Sequence, residues 1–257
     1  MANNATENTN ISIDLNADLG EGGADDAAIL ACVSSANIAC GGHAGDEQSM
    51  RDAVRAALRC GVAIGAHPSF VDRENFGRTE MQIPMEQVFD EVLEQIEALQ
   101  HICATEGAQL VHVKPHGALY NQAARDVTLA ETIVKAIAAA GSQLRVVGLA
   151  GSELIHAARR AGMAVSEEAF ADRRYNSDGT LVSRKLPGAT IDEVSVALQQ
   201  ALHMVEQQAV TSVDGTALSM QIDTLCLHGD GAHALQLARA LRAHLSQREI
   251  KVTSASK

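Results

Sequence analysis

The sequence predicts an α/β barrel, in which parallel strands alternate with helices around a shared interior. Two observations lead to this fold class. Seven short apolar or alternating segments, typical of strands, are separated along the chain by helical patterns. Most of these segments run into a cluster of reactive polar side chains, and β/α barrels carry out their chemistry at the C-terminal ends of their strands. We therefore expect the chain to be an enzyme.

The predicted elements alternate in the order that such a barrel requires. The strands are predicted over residues 11–16, 36–40, 62–66, 109–114, 144–149, 163–166 and 222–227. The helices are predicted over residues 46–60, 86–106, 127–140, 152–161 and 232–247. Asp46 is typical of a helix N-cap and Gly61 of a helix end. Thr190 and Glu193 have the spacing of a capping box that opens a further helix.

One domain is expected, because no linker or break in composition divides the 257 residues. The barrel is predicted from residue 11 to residue 250. Residues 1–10 are predicted to be a disordered lead-in and residues 251–257 a flexible tail.

Composition excludes several classes of protein. The net charge of -12 and the pI of about 5.2 argue against nucleic acid or an anionic membrane as a partner. No run of about 18 apolar residues is present, so no membrane span is expected, and the polar N-terminus lacks the features of a signal peptide. The five cysteines form no CxxC pair or disulfide framework, which indicates reduced thiols. The sequence thus predicts a cytoplasmic protein.

Three predicted strands have one apolar face and one reactive face. Successive side chains of a strand point to opposite faces, so alternate residues form a row. The reactive rows are Asp14, Asn16 and Asp18; His112, Lys114 and His116; and Cys226, His228 and Asp230. A solvent-facing row explains any one strand, but rows that converge inside a barrel explain all three better. His43 and His67 follow two further strands and complete the set of inward candidates.

Carboxylate and imidazole groups of this kind suit a divalent metal ion that keeps one position open for water. No HExxH or paired-cysteine motif supports such a site independently. An isolated histidine is more often a hydrogen-bonded structural residue. The histidines expected to be structural lie in helical patterns and are His101, His156, His203 and His244.

Two further features suit an anion. The glycine-rich residues 40–46 offer backbone N–H groups at a helix start, although neither GxxxxGK[ST] nor GxGxxG, the common nucleotide motifs, occurs. The long, charged connections at 68–85 and 170–189 are typical of functional lids, and residues 176–180 predict a hairpin turn in the second. Four arginines of these loops either clamp a substrate carboxylate or stay exposed, and they are Arg73, Arg78, Arg173 and Arg174.

Together these segments resemble the LamB/YcsF family, described as the first of the three components of the prokaryotic 5-oxoprolinase. The resemblance spans roughly residues 11–247 in the family's order, with a minor departure at Phe70, where the family often has Tyr. The matching stretches are DLNADLGE at 14–21, ANIACGGHAGD at 36–46, GAHPSF at 65–70, FGR at 76–78, VKPHGALYN at 113–121, EAFADRRY at 168–175 and CLHGD at 226–230.

The resemblance implies a distorted seven-stranded (β/α) TIM-like barrel of the glycoside hydrolase/deacetylase type, in agreement with the seven predicted strands. It also implies cleavage of 5-oxo-L-proline to L-glutamate, with ATP as a co-substrate that is hydrolysed to ADP and phosphate. It further implies two partners, the 5-oxoprolinase subunits B and C. Our hypothesis is that the partners perform or assist phosphorylation of the lactam, while this barrel directs water at the activated ring.

Candidate roles follow from this hypothesis. Related deacetylase-type barrels hold a metal ion with one Asp and two His, and by analogy the ligands of a divalent metal ion here are Asp18, His67 and His116. A metal ion or a carboxylate base, either Asp14 or Asp230, would generate the nucleophile. His43 or Lys114 would stabilise developing negative charge. The catalytic candidates are Asp14, Asp18, His43, Lys114 and Asp230. The substrate-binding candidates are Asn16, Arg78, Arg173 and His228, with Arg173 as a carboxylate clamp.

Two alternatives stay open. The first is a stand-alone metal-dependent deacetylase or amidase, which shares the fold type and needs no ATP. The second is a non-catalytic small-molecule-binding subunit whose partners carry out the chemistry. The density of inward histidines and aspartates argues against the second alternative, because a polar interior is costly to build.

Overall fold

The computed structural model describes residues 11–227 and 233–255 of the chain. Ten strands lie in this part of the chain: β1 (Ser12–Leu19), β2 (Ser35–Ala39), β3 (Ala63–His67), β4 (Leu110–Val113), β5 (Arg145–Leu149), β6 (Val165–Phe170), β7 (Ala209–Thr211), β8 (Ala217–Ser219), β9 (Thr224–Leu227) and β10 (Lys251–Val252). Among them, β1 to β6 and β9 form a parallel barrel, which closes because β1 pairs with both β2 and β9. The predicted seven-stranded barrel is therefore confirmed.

Helices connect the strands and cover the outside of the barrel. In the described residues they are α1 (Asp26–Leu30), α2 (Glu47–Cys60), α3 (Met85–Thr105), α4 (Gly117–Ala123), α5 (Val127–Ala140), α6 (Glu153–Arg160), α7 (Val194–Gln207) and α8 (Ala234–Gln247). None of these helices has the length and apolar character needed to span a lipid bilayer.

The predicted signals at the two ends of α2 are confirmed. The Asp46 side chain accepts a hydrogen bond from the Ser49 backbone N–H at 2.8 Å, and Ser49 Oγ accepts one from the Asp46 N–H at 2.7 Å. This reciprocal capping box satisfies N–H groups that the first helical turn leaves free. The helix ends at Gly61. Because the start of α2 is fixed, the preceding loop, residues 40–46, is held at the C-terminal end of the barrel.

The structure corrects two predicted boundaries. Helix α7 begins at Val194 and not at Thr190, because Thr190 pairs with Arg173 in an antiparallel bridge instead of capping the helix. The flexible tail predicted from residue 251 is ordered as far as the structure describes it. Lys251 pairs with Ser12 as β10 joins β1, since backbone pairing outweighs the polar composition of this segment. The predicted lead-in, residues 1–10, lies outside the described residues.

Hairpins occupy the region between β6 and β9. The predicted small hairpin is confirmed by an antiparallel bridge between Tyr175 and Leu181 and by a hydrogen bond from the Asn176 N–H to the Thr180 carbonyl at 2.8 Å. A second hairpin, β7–β8, was not predicted. The Val213 N–H in its turn donates to the Tyr175 carbonyl, so the two hairpins support each other.

Strand β1 shows how the barrel separates apolar from polar side chains. Ile13 and Leu15 are buried in the hydrophobic core. The alternate residue Asp18 hydrogen bonds to Lys114, which follows β4. Because β1 and β4 are not neighbours in the barrel, this contact crosses the interior. The predicted convergence of the polar rows of these two strands is confirmed.

Candidate active site

Polar side chains at the C-terminal end of the barrel form two adjoining groups. The first, the histidine cluster, consists of Glu21, His43, His67 and His116. The second, the lysine centre, consists of Lys114 and the residues that contact its ammonium group, which are Asp18, Asn16, Glu168 and Cys226. The two groups meet where Asp18 Oδ2 lies 3.4 Å from His67 Nε2.

Each member of the histidine cluster lies at or just beyond the end of a strand. Glu21 follows β1, His43 follows β2, His67 ends β3 and His116 follows β4. Their ligand atoms all lie within 4.8 Å of one another. Since β1 to β4 are successive neighbours in the barrel, their ends bring these residues together from distant parts of the sequence.

Backbone carbonyls orient two of the histidine rings. His67 Nδ1 lies 2.7 Å from the Lys114 carbonyl oxygen, and His116 Nε2 lies 3.0 Å from the Phe76 carbonyl oxygen. A carbonyl only accepts hydrogen bonds, so each of these nitrogens carries a ring proton. His67 Nε2 and His116 Nδ1 then face each other across 2.9 Å. In neutral rings both nitrogens would carry lone pairs, which repel at this distance unless a proton on one ring or a metal ion lies between them.

The surroundings favour neutral rings at two of the three histidines. Burial lowers the pKa of His43 and of His116, and at His116 the neighbouring histidines lower it further. Burial also acts to lower the pKa of His67, but the Asp18 carboxylate outweighs it and raises the pKa overall. Neutral imidazole is the form that binds a metal ion. The cluster therefore offers metal ligands, with a carboxylate beside His67 that favours positive charge.

Glu21 supplies the oxygen donor of the cluster. Its Oε1 lies 2.8 Å from His43 Nε2, 3.3 Å from His116 Nδ1 and 3.8 Å from His67 Nε2. Ligand atoms about 2.0–2.1 Å from a tetrahedral zinc ion are roughly 3.3 Å apart. His43 Nδ1 is buried without a hydrogen-bond partner among the described residues, so the polar contact of this ring is on the cluster side. Donor chemistry and spacing both fit a divalent metal ion.

The ammonium group of Lys114 is surrounded by acceptors. Its Nζ lies 2.8 Å from Glu168 Oε1, 3.0 Å from Asp18 Oδ1 and 3.1 Å from Cys226 Sγ. Burial acts against its charge, but the negative groups around it raise the pKa well above the ordinary value. An ammonium group has three N–H donors, and all are engaged here. Lys114 therefore holds the two carboxylates, and its stabilisation of developing charge stays a prediction.

Glu168 was not predicted, yet it is fully buried at the lysine centre. Its Oε1 accepts from Asn16 Nδ2 at 2.9 Å and its Oε2 accepts from the Tyr120 hydroxyl at 2.8 Å, in addition to the contact with Lys114. Burial raises the pKa of Tyr120 well above its ordinary value, so the phenol stays a donor. Both oxygens of Glu168 are therefore occupied by donors.

Asp18 lies between the two groups. Its Oδ1 accepts from Lys114 Nζ and, at 2.8 Å, from Asn37 Nδ2, while its Oδ2 faces His67. The four converging ligand atoms are those of the histidine cluster, which holds the predicted ligands His67 and His116. Asp18 is adjacent to that set and bound to Lys114, so the carboxylate of the set is Glu21.

Asp14 lies deeper in the barrel than the histidine cluster. It precedes Asp18 by four residues on the same strand face, which is about 13 Å at ~3.3 Å per residue. Burial raises its pKa. Its oxygens accept at 2.6–2.8 Å from the hydroxyl groups of Ser34, Ser35 and Thr224. The structure does not bring this predicted catalytic residue to the site.

Asn37 links Asn16 of the lysine centre to His112 in the polar interior of the barrel. The Asn16 amide donates to Glu168 and Thr224 and accepts from Asn37 and Lys114. These four contacts use its hydrogen-bonding capacity within the lysine centre, and its predicted role in substrate binding stays a prediction. His112 Nε2 lies 2.8 Å from Asn37 Oδ1. Burial lowers the pKa of His112 to about 3, so the ring is neutral.

The loop arginines differ in their surroundings. Arg173 is buried, donates to the Val182 carbonyl at 2.7 Å and has a buried Nε without a partner among the described residues. Burial lowers its pKa to about 10, which leaves it charged at neutral pH. Arg78 is exposed, with its guanidinium 4.8 Å from the centre of the Phe76 ring. The predicted residues His228 and Asp230 lie outside the described part of the chain.

Comparisons with known proteins place this site in a family. The model of the LamB/YcsF family matches residues 13–257. The chain belongs to the LamB/YcsF family. A lactam utilization protein from Thermus thermophilus is 42% identical over 95% of this chain and 99% of its own, with a TM-score of 0.88. A family 4 carbohydrate esterase from Streptomyces lividans and the peptidoglycan deacetylase PdaC from Bacillus subtilis share the fold. They are 14% and 12% identical over 96% of this chain and cover 94% and 89% of their own, each with a TM-score of 0.50.

Two carboxylates of this LamB/YcsF chain were missed for different reasons. Glu21 follows β1 by two residues, where the alternation of a strand no longer tells which way a side chain points. Glu168 lies inside β6, but the predicted strand stopped at residue 166, two residues before it. The sequence feature that indicates Glu168 is its position directly before the apolar residues Ala169 and Phe170 and the long charged loop. A longer predicted strand would have placed Glu168 on the inner face.

Proposed function

We propose that this chain opens the lactam ring of 5-oxo-L-proline as the first component of an ATP-dependent 5-oxoprolinase, acting with subunits B and C in the cytoplasm. The proposal is carried by membership of the LamB/YcsF family together with 42% identity to a lactam utilization protein. The described residues add a barrel interior with converging imidazoles and carboxylates, which is suited to hydrolysis of an amide.

The proposal includes a divalent metal ion in the histidine cluster. His43, His67, His116 and Glu21 would hold it, because their ligand atoms all lie within 4.8 Å of one another. When bound, such an ion supplies Lewis-acid polarisation of an amide oxygen and makes water more acidic.

Within this proposal, Asp18 is the base that takes a proton from the attacking water. Lys114 and Asn37 hold its Oδ1, which orients Oδ2 toward the histidine cluster. The paired charge of Lys114 keeps Asp18 ionised in a buried place. Arg173 would bind the carboxylate of 5-oxoproline through its buried Nε–H, which has no partner among the described residues. An exposed residue such as Arg78 contributes little to this clamp.

ATP enters as a co-substrate because a lactam is a resonance-stabilised amide and a poor electrophile. In the proposed sequence, the lactam oxygen takes the γ-phosphoryl group of ATP, with help from the partner subunits, and ADP leaves. Water then adds to the activated carbon, the ring C–N bond breaks, and the nitrogen takes a proton. Hydrolysis of the resulting acyl phosphate by a second water releases L-glutamate and phosphate.

The first experiment measures glutamate and ADP formed from 5-oxoproline and ATP, with this chain alone and with subunits B and C. We expect coupled turnover in the mixture and none when one of the three components is left out. An Asp18→Asn variant should lose turnover and keep the fold, as judged by circular dichroism. Full activity of that variant would remove Asp18 from the mechanism.

A metal-dependent deacetylase or amidase without ATP is the second candidate, because the histidine cluster would equally serve a hydrolase that acts alone. Hydrolysis of acetylated sugars or simple amides by this chain alone, stopped by a chelator, would support it. No turnover of 5-oxoproline with folded and assembled partners would favour it over the oxoprolinase proposal.

A further inference from the structure

The loop between β3 and α3, residues 68–84, shapes the histidine cluster from outside. Three of its carbonyl groups accept hydrogen bonds from the segment that carries His116. The Pro68 carbonyl accepts from the His116 backbone N–H at 2.8 Å, and the Phe76 carbonyl faces His116 Nε2 at 3.0 Å. The Gly77 carbonyl accepts from the Ala118 N–H at 2.8 Å. The position of this loop therefore determines how the His116 ring is oriented.

The middle of the loop is held in an unfavourable backbone conformation. Phe76 has a φ of 56°, a left-handed value that side chains with a Cβ rarely adopt. Its ring packs edge-on against His43 and His116, with centroids 5.3 and 5.5 Å away. At the next residue, Gly77, a Cβ atom would stand 2.9 Å from the Cβ of His43. Such a conformation persists only where its surroundings enforce it.

Two glutamine side chains anchor the ends of this loop. Gln95, buried in α3, accepts from the Ser69 N–H at 3.0 Å and donates to the Ser69 carbonyl at 2.8 Å. Gln122, in the helix that follows His116, makes the same pair of bonds with Met81, both at 3.0 Å. Each amide side chain thus binds one loop residue as a neighbouring strand would, through both backbone groups.

Gln95 also contacts the loop that carries His43. A Cβ atom on Gly42 would lie 2.5 Å from Gln95 Oε1 and 2.5 Å from Ser69 Oγ, so the backbone before His43 passes directly against this amide. Gln95 therefore lies between the β3–α3 loop and the loop that carries His43.

We propose that Gln95 and Gln122 are positioning residues of the histidine cluster. They hold the β3–α3 loop so that the Phe76 carbonyl binds His116 Nε2, which leaves His116 Nδ1 without a proton and turned toward His67. The loop is accordingly a fixed template for the cluster, whereas a lid was predicted. The expected effect on metal affinity rests on the proposed metal-binding role of the cluster. The expected effect on the His116 ring does not depend on a metal ion.

The chain offers a matched control for a purely structural effect. Gln208 makes the same two-bond contact with Ile222, at 2.6 Å to the N–H and 3.3 Å to the carbonyl. Ile222 precedes β9 and thus lies at the opposite, N-terminal end of the barrel. A Gln→Met change removes the amide and keeps the length of the side chain. Gln122 is only half-buried, so Gln122→Met provides a variant that folds if Gln95→Met does not.

The experiment compares Gln95→Met, Gln122→Met and Gln208→Met with the unchanged protein in two assays. Titration with Co²⁺, followed by the visible absorption of the bound ion, gives the dissociation constant. We expect it to rise about 10–100-fold for the first two variants, the range typical when residues that orient metal ligands are lost, and less than about twofold for Gln208→Met. The thermal midpoint should fall for all three variants.

The second assay is ¹⁵N NMR of the metal-free proteins, with the His116 signals assigned through a His116→Gln variant. The unchanged protein and Gln208→Met should show a protonated Nε2 and a bare Nδ1, whereas the other two variants should show a mixture of ring forms. Equal losses of Co²⁺ affinity in all three variants, or an unchanged His116 ring in Gln95→Met and Gln122→Met, would overturn the inference. Failure of the unchanged protein to bind Co²⁺ would refute the metal, while the NMR result would still decide the positioning role.

Discussion

Removal of the buried ammonium group of Lys114 tests the lysine centre directly. In Lys114→Met, the carboxylates of Asp18 and Glu168, which lie 3.0 and 2.8 Å from Nζ, lose their shared counter-charge. Both are buried, so water cannot replace it. Breaking a buried ion pair from one side costs about 3–5 kcal/mol. Since folded domains are stable by about 5–15 kcal/mol, we expect the variant to lose a large part of its stability.

A double-mutant cycle separates this electrostatic loss from a loss of packing. Glu168→Gln removes one of the two charges, so its combination with Lys114→Met leaves fewer uncompensated groups. The loss in the double variant should be about 1–3 kcal/mol smaller than the sum of the single losses. Urea unfolding at pH 7, with midpoint and slope compared across the four proteins, measures this coupling. Losses that add to within about 0.5 kcal/mol would refute the account of a buried charge shared by the two carboxylates.

Three further changes test other parts of the interior. The folded-state pKa of His112, about 3, lies below the ordinary 6.5. The stability that depends on its neutral ring should thus be complete above pH 6.5 and lost as the pH falls toward 3, by about 4–5 kcal/mol. His112→Gln should flatten the pH dependence of the urea midpoint between about pH 6.5 and 4, and an unchanged slope would refute the assignment. Glu21→Gln should weaken Co²⁺ binding at least about tenfold in calorimetry, and unchanged affinity would remove Glu21 from the ligand set. Arg173→Met should raise KM for 5-oxoproline about 10–100-fold in the assembled enzyme, which corresponds to the loss of one charged hydrogen bond. Arg78→Met should leave KM nearly unchanged, and equal effects of the two changes would argue against Arg173 as the carboxylate clamp.

The barrel could be predicted from the sequence because its strands repeat a simple pattern. The alternation of Ile13 and Leu15 with Asp14, Asn16 and Asp18 identifies both faces of β1 without any knowledge of its neighbours. The same pattern does not tell how far along the barrel interior each polar side chain lies. Asp14 and Asp18 belong to one row, yet about 13 Å of strand separates them, so one contacts serine hydroxyl groups and the other contacts Lys114.

The candidate site was predicted less completely because its members depend on loops. The strand ends at His67 and His116 were recognised as parts of the site. The contact of His116 with the Phe76 carbonyl, which determines its free nitrogen, joins residues 40 positions apart. No local pattern in the sequence signals such a pair. Glu21 likewise acquires its role only when the end of β1 lies beside the next strands of the closed barrel.

Most polar groups inside this barrel have hydrogen-bond partners, and a few do not. Folded proteins leave few buried polar atoms unpaired, and the lysine centre follows this rule, since Lys114 and Asn16 use all of their donors. Among the described residues, the buried atoms without a partner include His43 Nδ1, in the histidine cluster, and Arg173 Nε. Unpaired groups gain most from a bound cation or anion, because no internal bond must break first. Ligand binding is therefore expected at the histidine cluster and at Arg173, while the lysine centre holds Asp18 in place beside the cluster.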